Sequence, residues 1–212
     1  MTDKKLRKVG IMGGTFDPIH IGHLILGENA WRQLGLETVL FMPSANPPHK
    51  KNRIGCASVE ERMDMVALAI KDNPHFTLSC EEAYAEDYCY TADTLKRLNE
   101  ENLDTEYYFI MGADSLFAFE TWKNPAEICR RCVLVAAIRD HVLEEKFQEQ
   151  IDYLRRKYQA RIEVLSTPNL DVSSHDVRKW LKTEEISLRY YVPDSVIDYI
   201  KDNNLYSGCE YK

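Results

Sequence analysis

Six short runs rich in apolar and β-branched residues punctuate the chain, at Lys8 to Met12, Thr38 to Met42, Phe76 to Ser79, Tyr107 to Met111, Cys132 to Ile138 and Arg161 to Leu165. Between them apolar positions recur at the spacing of one helix face. That periodicity predicts helices over Ile21 to Leu34, Ser58 to Ile70, Thr91 to Glu101, Val142 to Tyr158, Ser174 to Leu181 and Pro193 to Asp202. Val133 to Ile138 contains no polar residue, the pattern of a strand covered by helices on both faces. Strand and helix alternate throughout, so the expected fold class is α/β with a doubly wound parallel sheet. No internal repeat, low-complexity tract or Gly/Ser linker interrupts the chain, which predicts a single domain over 1–212. Its last part, 170–212, carries two close helices and little strand, and reads as a small C-terminal helical subdomain.

At 212 residues the chain can bury roughly 70% of its unfolded surface, enough for a core without disulfide staples. Apolar residues make up 44% and charged residues 29%, which removes the collagen-like, disordered and coiled-coil classes. The longest apolar run, Cys132 to Ile138, is far shorter than the ~20 residues that span a bilayer. Met1 to Lys8 is basic but leads straight into Val9 to Met12, with neither the h-region nor the cleavage site of a secretory signal. The expected location is cytoplasmic, with no membrane partner. There the six cysteines are expected as reduced thiols. Cys129-Arg130-Arg131-Cys132 lacks a second C-x-x-C and reads as two packing thiols rather than a zinc or redox site. Thirty-four acidic against 27 basic residues leave a net charge of −7, which disfavours nucleic acid as a partner. Lys50-Lys51-x-Arg53 is basic only locally, as a phosphate rim would be.

Chemistry is expected in the segments that leave the carboxyl ends of the strands. The first of these is Gly13-Gly14-Thr15-Phe16-Asp17-Pro18-Ile19-His20-Ile21-Gly22-His23. Glycines at such a strand-to-helix turn let backbone N–H groups approach a phosphate chain. The spacing is neither G-x-G-x-x-G nor G-x-x-x-x-G-K-[ST], so this is another kind of phosphate site. His20 and His23 lie three residues apart on one face at a helix start, where two imidazoles converge on one ligand. Gly22 between them leaves room for something bulky against the backbone. Zinc ligation is the competing reading, without H-E-x-x-H spacing or an obvious third ligand; packed histidines are the plain one. Ser173 and Ser174 precede an apolar-periodic helix, either as a simple cap or as an anion site at its N-terminus, with Arg178 returning to the same face. Trp122 follows Asp114 in a stretch of small and polar neighbours, where it either packs in the core or offers an indole face to a flat ring.

The first segment resembles the GG-x-FDP-x-H-x-GH signature of the H-x-G-H nucleotidyltransferases. Further segments are similar to the nicotinate mononucleotide adenylyltransferase family within that group. Pro47-Pro48-His49-Lys50 resembles its P-P-H-K loop, Glu61-Arg62-Met63 its E-R-x-x-M helix, and Tyr90-Thr91-Ala92-Asp93-Thr94-Leu95 its Y-T-x-D-T-L. Gly112-Ala113-Asp114-Ser115 with Trp122 resembles G-x-D followed by Trp, and Val172-Ser173-Ser174-His175-Asp176-Val177-Arg178 resembles I-S-S-T-x-I-R. His175 stands where that family usually has Thr. Asp140-His141 follow Arg139 where it usually has Pro-Gly.

The resemblance implies a Rossmann-like nucleotidyltransferase fold and adenylyl transfer from ATP to nicotinate mononucleotide, giving nicotinate adenine dinucleotide and pyrophosphate in NAD biosynthesis. The attacking phosphate is already anionic, so positioning and charge stabilisation suffice. It implies catalytic roles for His20, His23, Lys50 and Arg178, and ATP contacts from Gly13, Gly14, Thr15, Phe16, Asp114, Ser173 and Ser174. Asn46, Thr91, Trp122 and Arg139 would hold the mononucleotide, with the N–H groups near Thr91 meeting the nicotinate carboxylate. Mg²⁺ is expected with ATP, carried by phosphates and water, so no metal ligand is assigned. Assembly as a homo-oligomer stays open. The rivals are another adenylyltransferase of the same fold, such as the phosphopantetheine enzyme, and a nucleotide-binding regulator without catalysis. The first lacks the P-P-H-K and Y-T-x-D-T-L pair, and the second has no need of both histidines.

Overall fold

In the computed structural model, six strands form one sheet in the order β3-β2-β1-β4-β5-β6. The structure describes residues 6–45, 57–84, 89–137, 144–168 and 170–207. Along the chain run β1 (Arg7–Gly14), α1 (Ile21–Leu34), β2 (Thr38–Pro43), α2 (Val59–Ile70), β3 (Phe76–Leu78), α3 (Thr91–Glu101), β4 (Thr105–Gly112) and α4 (Ala113–Phe117). A 3₁₀ turn (Phe119–Thr121) follows, then α5 (Pro125–Arg131), β5 (Cys132–Ala137), α6 (Glu144–Tyr158), β6 (Ile162–Leu165), α7 (Ser174–Thr183) and α8 (Asp194–Asp202). The described registers are parallel, and the doubly wound α/β class expected from the alternation is the class found. The winding reverses between β1 and β4, the switch point at which such sheets take ligands. The start of the fourth predicted helix and the last residue of the fifth predicted strand, 142–143 and 138, lie outside the described residues.

The chain packs as two compact units. One draws on the described residues within Met1–Gly13, Leu26–Leu40 and Tyr90–Asn169. In it β1 pairs with β4 from Arg7 opposite Thr105 to Ile11 opposite Phe109, and β5 pairs with β4 and β6. Every residue of β5 is buried, the consequence of an apolar run with helices on both sides. A Cβ on Gly10 would lie 2.9 Å from Leu36 Cδ1, so the bare backbone there is what lets Leu36 seat. α6 turns Phe147, Ile151 and Leu154 inward. Its outer face gathers on Glu120 of the 3₁₀ turn, which accepts from Tyr153 Oη at 3.0 Å, Tyr158 Oη at 3.0 Å and Lys157 Nζ at 2.5 Å. The Lys157 bond leads in holding the Glu120 carboxyl below the usual carboxylate range. The stretch around Trp122, for which the periodicity predicts no helix or strand, is α4, the 3₁₀ turn and α5. These are too short for a period to repeat.

The two cysteines of the C-x-x-C both lie inside this unit, and Cys132 Sγ donates to Ile128 O at 3.3 Å. Burial pushes the Cys129 thiol up to about 11 and that of Cys132 higher still. Only the thiolate attacks an alkylating agent. Brief iodoacetamide treatment at about pH 8 is therefore expected to label exposed Cys80 and to spare Cys129 and Cys132 until denaturant is added, read by peptide mass spectrometry. Native labelling of the pair at the Cys80 rate would contradict packing thiols. Cys56 and Cys209 lie outside the described residues.

The other unit draws on the described residues within Gly14–Ile25, Phe41–Cys89 and Leu170–Lys212. Ser58 caps α2 through a reciprocal box: its Oγ accepts from Glu61 N at 3.1 Å, and Glu61 Oε2 accepts from Ser58 N at 2.6 Å. That geometry fixes where α2 starts. α2 buries Met63, Met65, Val66 and Ile70, and α8 buries Val196, Ile197 and Ile200. Tyr199 Oη donates to Asp64 Oδ2 at 2.8 Å. α2 also buries one cation, Arg62.

Candidate active site

The loop from Gly14 to His20 is held by its carbonyl oxygens. Ser44 N donates to Gly14 O at 3.0 Å, and Arg62 donates to Thr15 O at 2.5 Å and to Ser44 O at 2.8 Å. Arg178 Nη1 donates to Asp17 O, and Ser174 Oγ to Pro18 O at 2.9 Å. In a planar trans peptide the N–H points opposite to the C=O. Tying the carbonyls of Gly14, Thr15 and Pro18 therefore turns the N–H groups of Thr15, Phe16 and Ile19 away from these donors. The Asp17–Pro18 peptide is cis. Phe16 adopts a left-handed φ of 49° with its ring 2% exposed, a conformation a bulky residue keeps only where its surroundings enforce it. Here the ring meets Phe41 at 5.9 Å and the His23 ring edge-on at 5.0 Å.

His20 and His23 come together as their spacing predicts, with ring centroids 3.8 Å apart. His20 is 4% exposed and His23 half-buried. His23 Nδ1 accepts from His20 N at 3.3 Å. With Nδ1 an acceptor, a neutral His23 carries its proton on Nε2, which leaves that nitrogen a donor. The sequence reserves Gly22 for a bulky neighbour, and the neighbour is His20 itself: a Cβ on Gly22 would lie 3.0 Å from His20 Nδ1 and 3.3 Å from Val172 Cγ1.

The residues of α7 divide. Ser173 is the N-cap, accepting from Asp176 N at 3.2 Å, while Asp176 Oδ2 accepts from Ser173 N at 3.1 Å. Ser174 and Arg178 reach the loop instead, as given above. Arg178 is 2% exposed and lies 3.7 Å from Asp17 Oδ2. His175 is exposed. Two residues to which the sequence assigns no role complete the site. Arg62 is the buried brace on Thr15 O, and Tyr206 Oη donates to Asp17 Oδ1 at 2.9 Å. The sequence sign of the first was its place in Glu61-Arg62-Met63, the stretch that resembles the E-R-x-x-M helix.

In the other unit, Thr91 opens α3 as predicted, and its N-cap, Tyr90, makes no side-chain cap bond. The first N–H groups of a helix have no intrahelical acceptor. Trp122 ends the 3₁₀ turn, half-buried, edge-on to Phe109 at 5.8 Å and tilted to Phe119 at 5.6 Å. Lys123 next to it, also missed, lies 4.0 Å above the Tyr90 ring and 3.0 Å from Asp93 Oδ2, which ties the Trp122 segment to the start of α3. Asp114 is exposed in the first turn of α4, and Gly13 is exposed at the end of β1. Asn46, Lys50 and Arg139 lie outside the described residues.

Comparison with known proteins gives this geometry a lineage. Residues 11–180 match the family described as cytidylyltransferase-like. A Lachnoclostridium phytofermentans protein named "Probable nicotinate-nucleotide adenylyltransferase" is 44% identical over 201 residues, 95% of this chain and 100% of that protein. The protein of the same name from Carboxydothermus hydrogenoformans is 38% identical over 94% of this chain and 98% of its own length. The solved structure of Plasmodium falciparum nicotinic acid mononucleotide adenylyltransferase complexed with NaAD superposes with a TM-score of 0.78 at 20% identity, over 94% of this chain and 97% of that one, so the two share a fold. With most of its length matched by that family and relatives similar from end to end, the chain belongs to the nicotinate-nucleotide adenylyltransferases, enzymes of the cytidylyltransferase-like group.

Proposed function

We propose that this chain transfers the adenylyl group of ATP to nicotinate mononucleotide, giving nicotinate adenine dinucleotide and pyrophosphate, in NAD biosynthesis. The observation that carries the reading is the His20–His23 pair, its rings tilted against each other with centroids 3.8 Å apart, on a loop anchored by its carbonyls. An oxygen of the mononucleotide 5′-phosphate attacks the α-phosphorus, a P–O bond forms, and the bond from the α-phosphorus to the bridging oxygen breaks. Pyrophosphate takes the electron pair. No proton need leave the nucleophile, so the protein's part is alignment and stabilisation of charge.

His20 and His23 donate N–H bonds to α- and β-phosphate oxygens as charge moves toward the leaving group. The N–H groups of Thr15 and Phe16, with Gly13 and Gly14 leaving space, line the phosphate path. Ser174 and Arg178 hold the loop by its carbonyls, and Arg178 adds fixed positive charge from behind; Ser173 starts the helix that presents both. Lys50 supplies a further cation, Asp114 a ribose contact, and Asn46 and Arg139 the mononucleotide contacts that the family resemblance implies. Mg²⁺ bound to the triphosphate would offset its charge. Among the described residues no group of three or more His, Cys, Asp or Glu gathers to hold a metal, and no residue is assigned to it. Among the described residues no helix is long and apolar enough to cross a membrane, and the enzyme is proposed to work in the cytoplasm.

Trp122 stacks on the pyridine ring, while the N–H groups at the start of α3, with Lys123 nearby, receive its carboxylate. An amide offers its NH₂ to those donors and leaves them unpaired, at about 1–3 kcal/mol each. The expected result is a kcat/KM about 5- to 150-fold higher for nicotinate than for nicotinamide mononucleotide. Trp122→Ala should raise KM for both alike, because stacking reads the ring and not its substituent. Pyrophosphate release with ATP, Mg²⁺ and each mononucleotide measures both. No release with either would overturn the function, and equal rates would overturn the carboxylate site alone.

A further inference from the structure

We propose that Tyr206, near the end of the described chain, is a positioning residue for the histidine pair, acting through the Asp17 carboxylate; the proposal rests on the catalytic reading of His20 and His23. Asp17 is 2% exposed, and a buried carboxylate stays in place only where donors satisfy it. Its two oxygens are handled separately. Oδ1 accepts from Tyr206 Oη at 2.9 Å, and Oδ2 faces Arg178 Nη1 at 3.7 Å. The Arg178 guanidinium is shared, because the same nitrogen donates to the backbone oxygen of Asp17. The Tyr206 hydroxyl thus makes a short, direct bond to the carboxylate.

The chain takes an unusual path to make it. After α8 ends at Asp202, Asn204 and Tyr206 both adopt left-handed φ values, 50° and 67°. An aromatic residue is held there only where packing over-determines it. The ring is 5% exposed, and its hydroxyl lies 4.0 Å from Met65 Sδ on α2. Asp17 stands three residues before His20 in sequence, and the intervening Pro18 is fixed by Ser174. A second tie from the same C-terminal segment, Tyr191 O accepting from Ile21 N at 2.8 Å, holds the residue just after His20. The orientation of the His20 ring therefore follows from how firmly Asp17 is held. Loosening it by a fraction of an ångström misaligns a donor whose value lies in its placement.

Tyr206→Phe removes the hydroxyl and keeps the ring. Its kcat is expected to fall about tenfold, with KM for ATP and for the mononucleotide within about twofold, and its ¹⁵N imidazole resonances for His20 and His23 should shift. Tyr199→Phe is the control: it deletes another tyrosine hydroxyl of the C-terminal segment, one that bonds Asp64 at the surface, and should change neither readout. A Tyr206→Phe enzyme with wild-type kcat and unshifted imidazole resonances would overturn the proposal. So would equal losses in Tyr199→Phe, which would mean a general loosening of the C-terminal helices. If wild-type protein releases no pyrophosphate, the catalytic reading fails by itself, while the imidazole resonances still report whether Tyr206 positions the pair.

Discussion

His20→Ala and His23→Ala are each expected to lower kcat by about 10² or more, because each removes a donor aimed at charge that develops only as the pyrophosphate leaves, typically worth about 3 kcal/mol. KM should move far less, since the bond matures in the transition state and not in the ground state. The losses should not add. The two rings pack against each other with centroids 3.8 Å apart, so removing one ring loosens the other, and the double variant should be little slower than the worse single one. Asparagine at either position restores an N–H donor and should recover part of the rate where alanine does not. Pyrophosphate release by purified proteins with native circular dichroism is the measurement. Wild-type kcat in both alanine variants would remove the histidines from the mechanism.

The fold could be read well ahead of the structure where burial leaves a period in the sequence. The apolar run of β5 is buried at every position, and α6 buries Phe147, Ile151 and Leu154 at the expected intervals. α3 opens at Thr91 and closes at Glu101, both as predicted. α4 and α5 had no such trace: they span five and seven residues, less than a period needs to repeat. The sign for α5 was Pro125, which stands at its N-terminus, where a missing N–H costs nothing.

The site was legible in part, for a different reason. His20, Gly22 and His23 are close in sequence, and side-chain identity at fixed spacing carries their chemistry. The groups that position the loop act on backbone carbonyls, which look the same in every residue. They also come from far away: Arg62 reaches Thr15 across 47 positions, Arg178 reaches Asp17 across 161, and Tyr206 reaches Asp17 across 189. In a one-dimensional pattern Arg62 is a polar break on an apolar helix face and Tyr206 a residue near a terminus. Only the fold turns them into donors to one loop.

Arg178→Ala should cost both stability and turnover, and the two can be separated. Arg178 and Asp17 are each 2% exposed. Removing one partner of a buried ion pair leaves the other charge uncompensated, at about 3–5 kcal/mol. For a chain of this size that corresponds to a Tm lower by roughly 6–20 °C. The alanine variant also frees Asp17 O, so kcat should fall through loss of the loop's anchor even at temperatures where the protein is folded. Arg178→Met combined with Asp17→Asn removes both charges and keeps the volume, and should regain at least half of the lost Tm, since the penalty lies in the unpaired charge and not in the absence of the pair. Turnover should stay low in this double variant, with KM for ATP raised more than KM for the mononucleotide, because the cation behind the phosphate loop is gone. Thermal melts and initial rates on the same preparations decide the matter. A double variant that recovers kcat along with Tm would reduce Arg178 to a partner for Asp17, and an alanine variant with wild-type Tm would mean that the buried pair does not hold the loop.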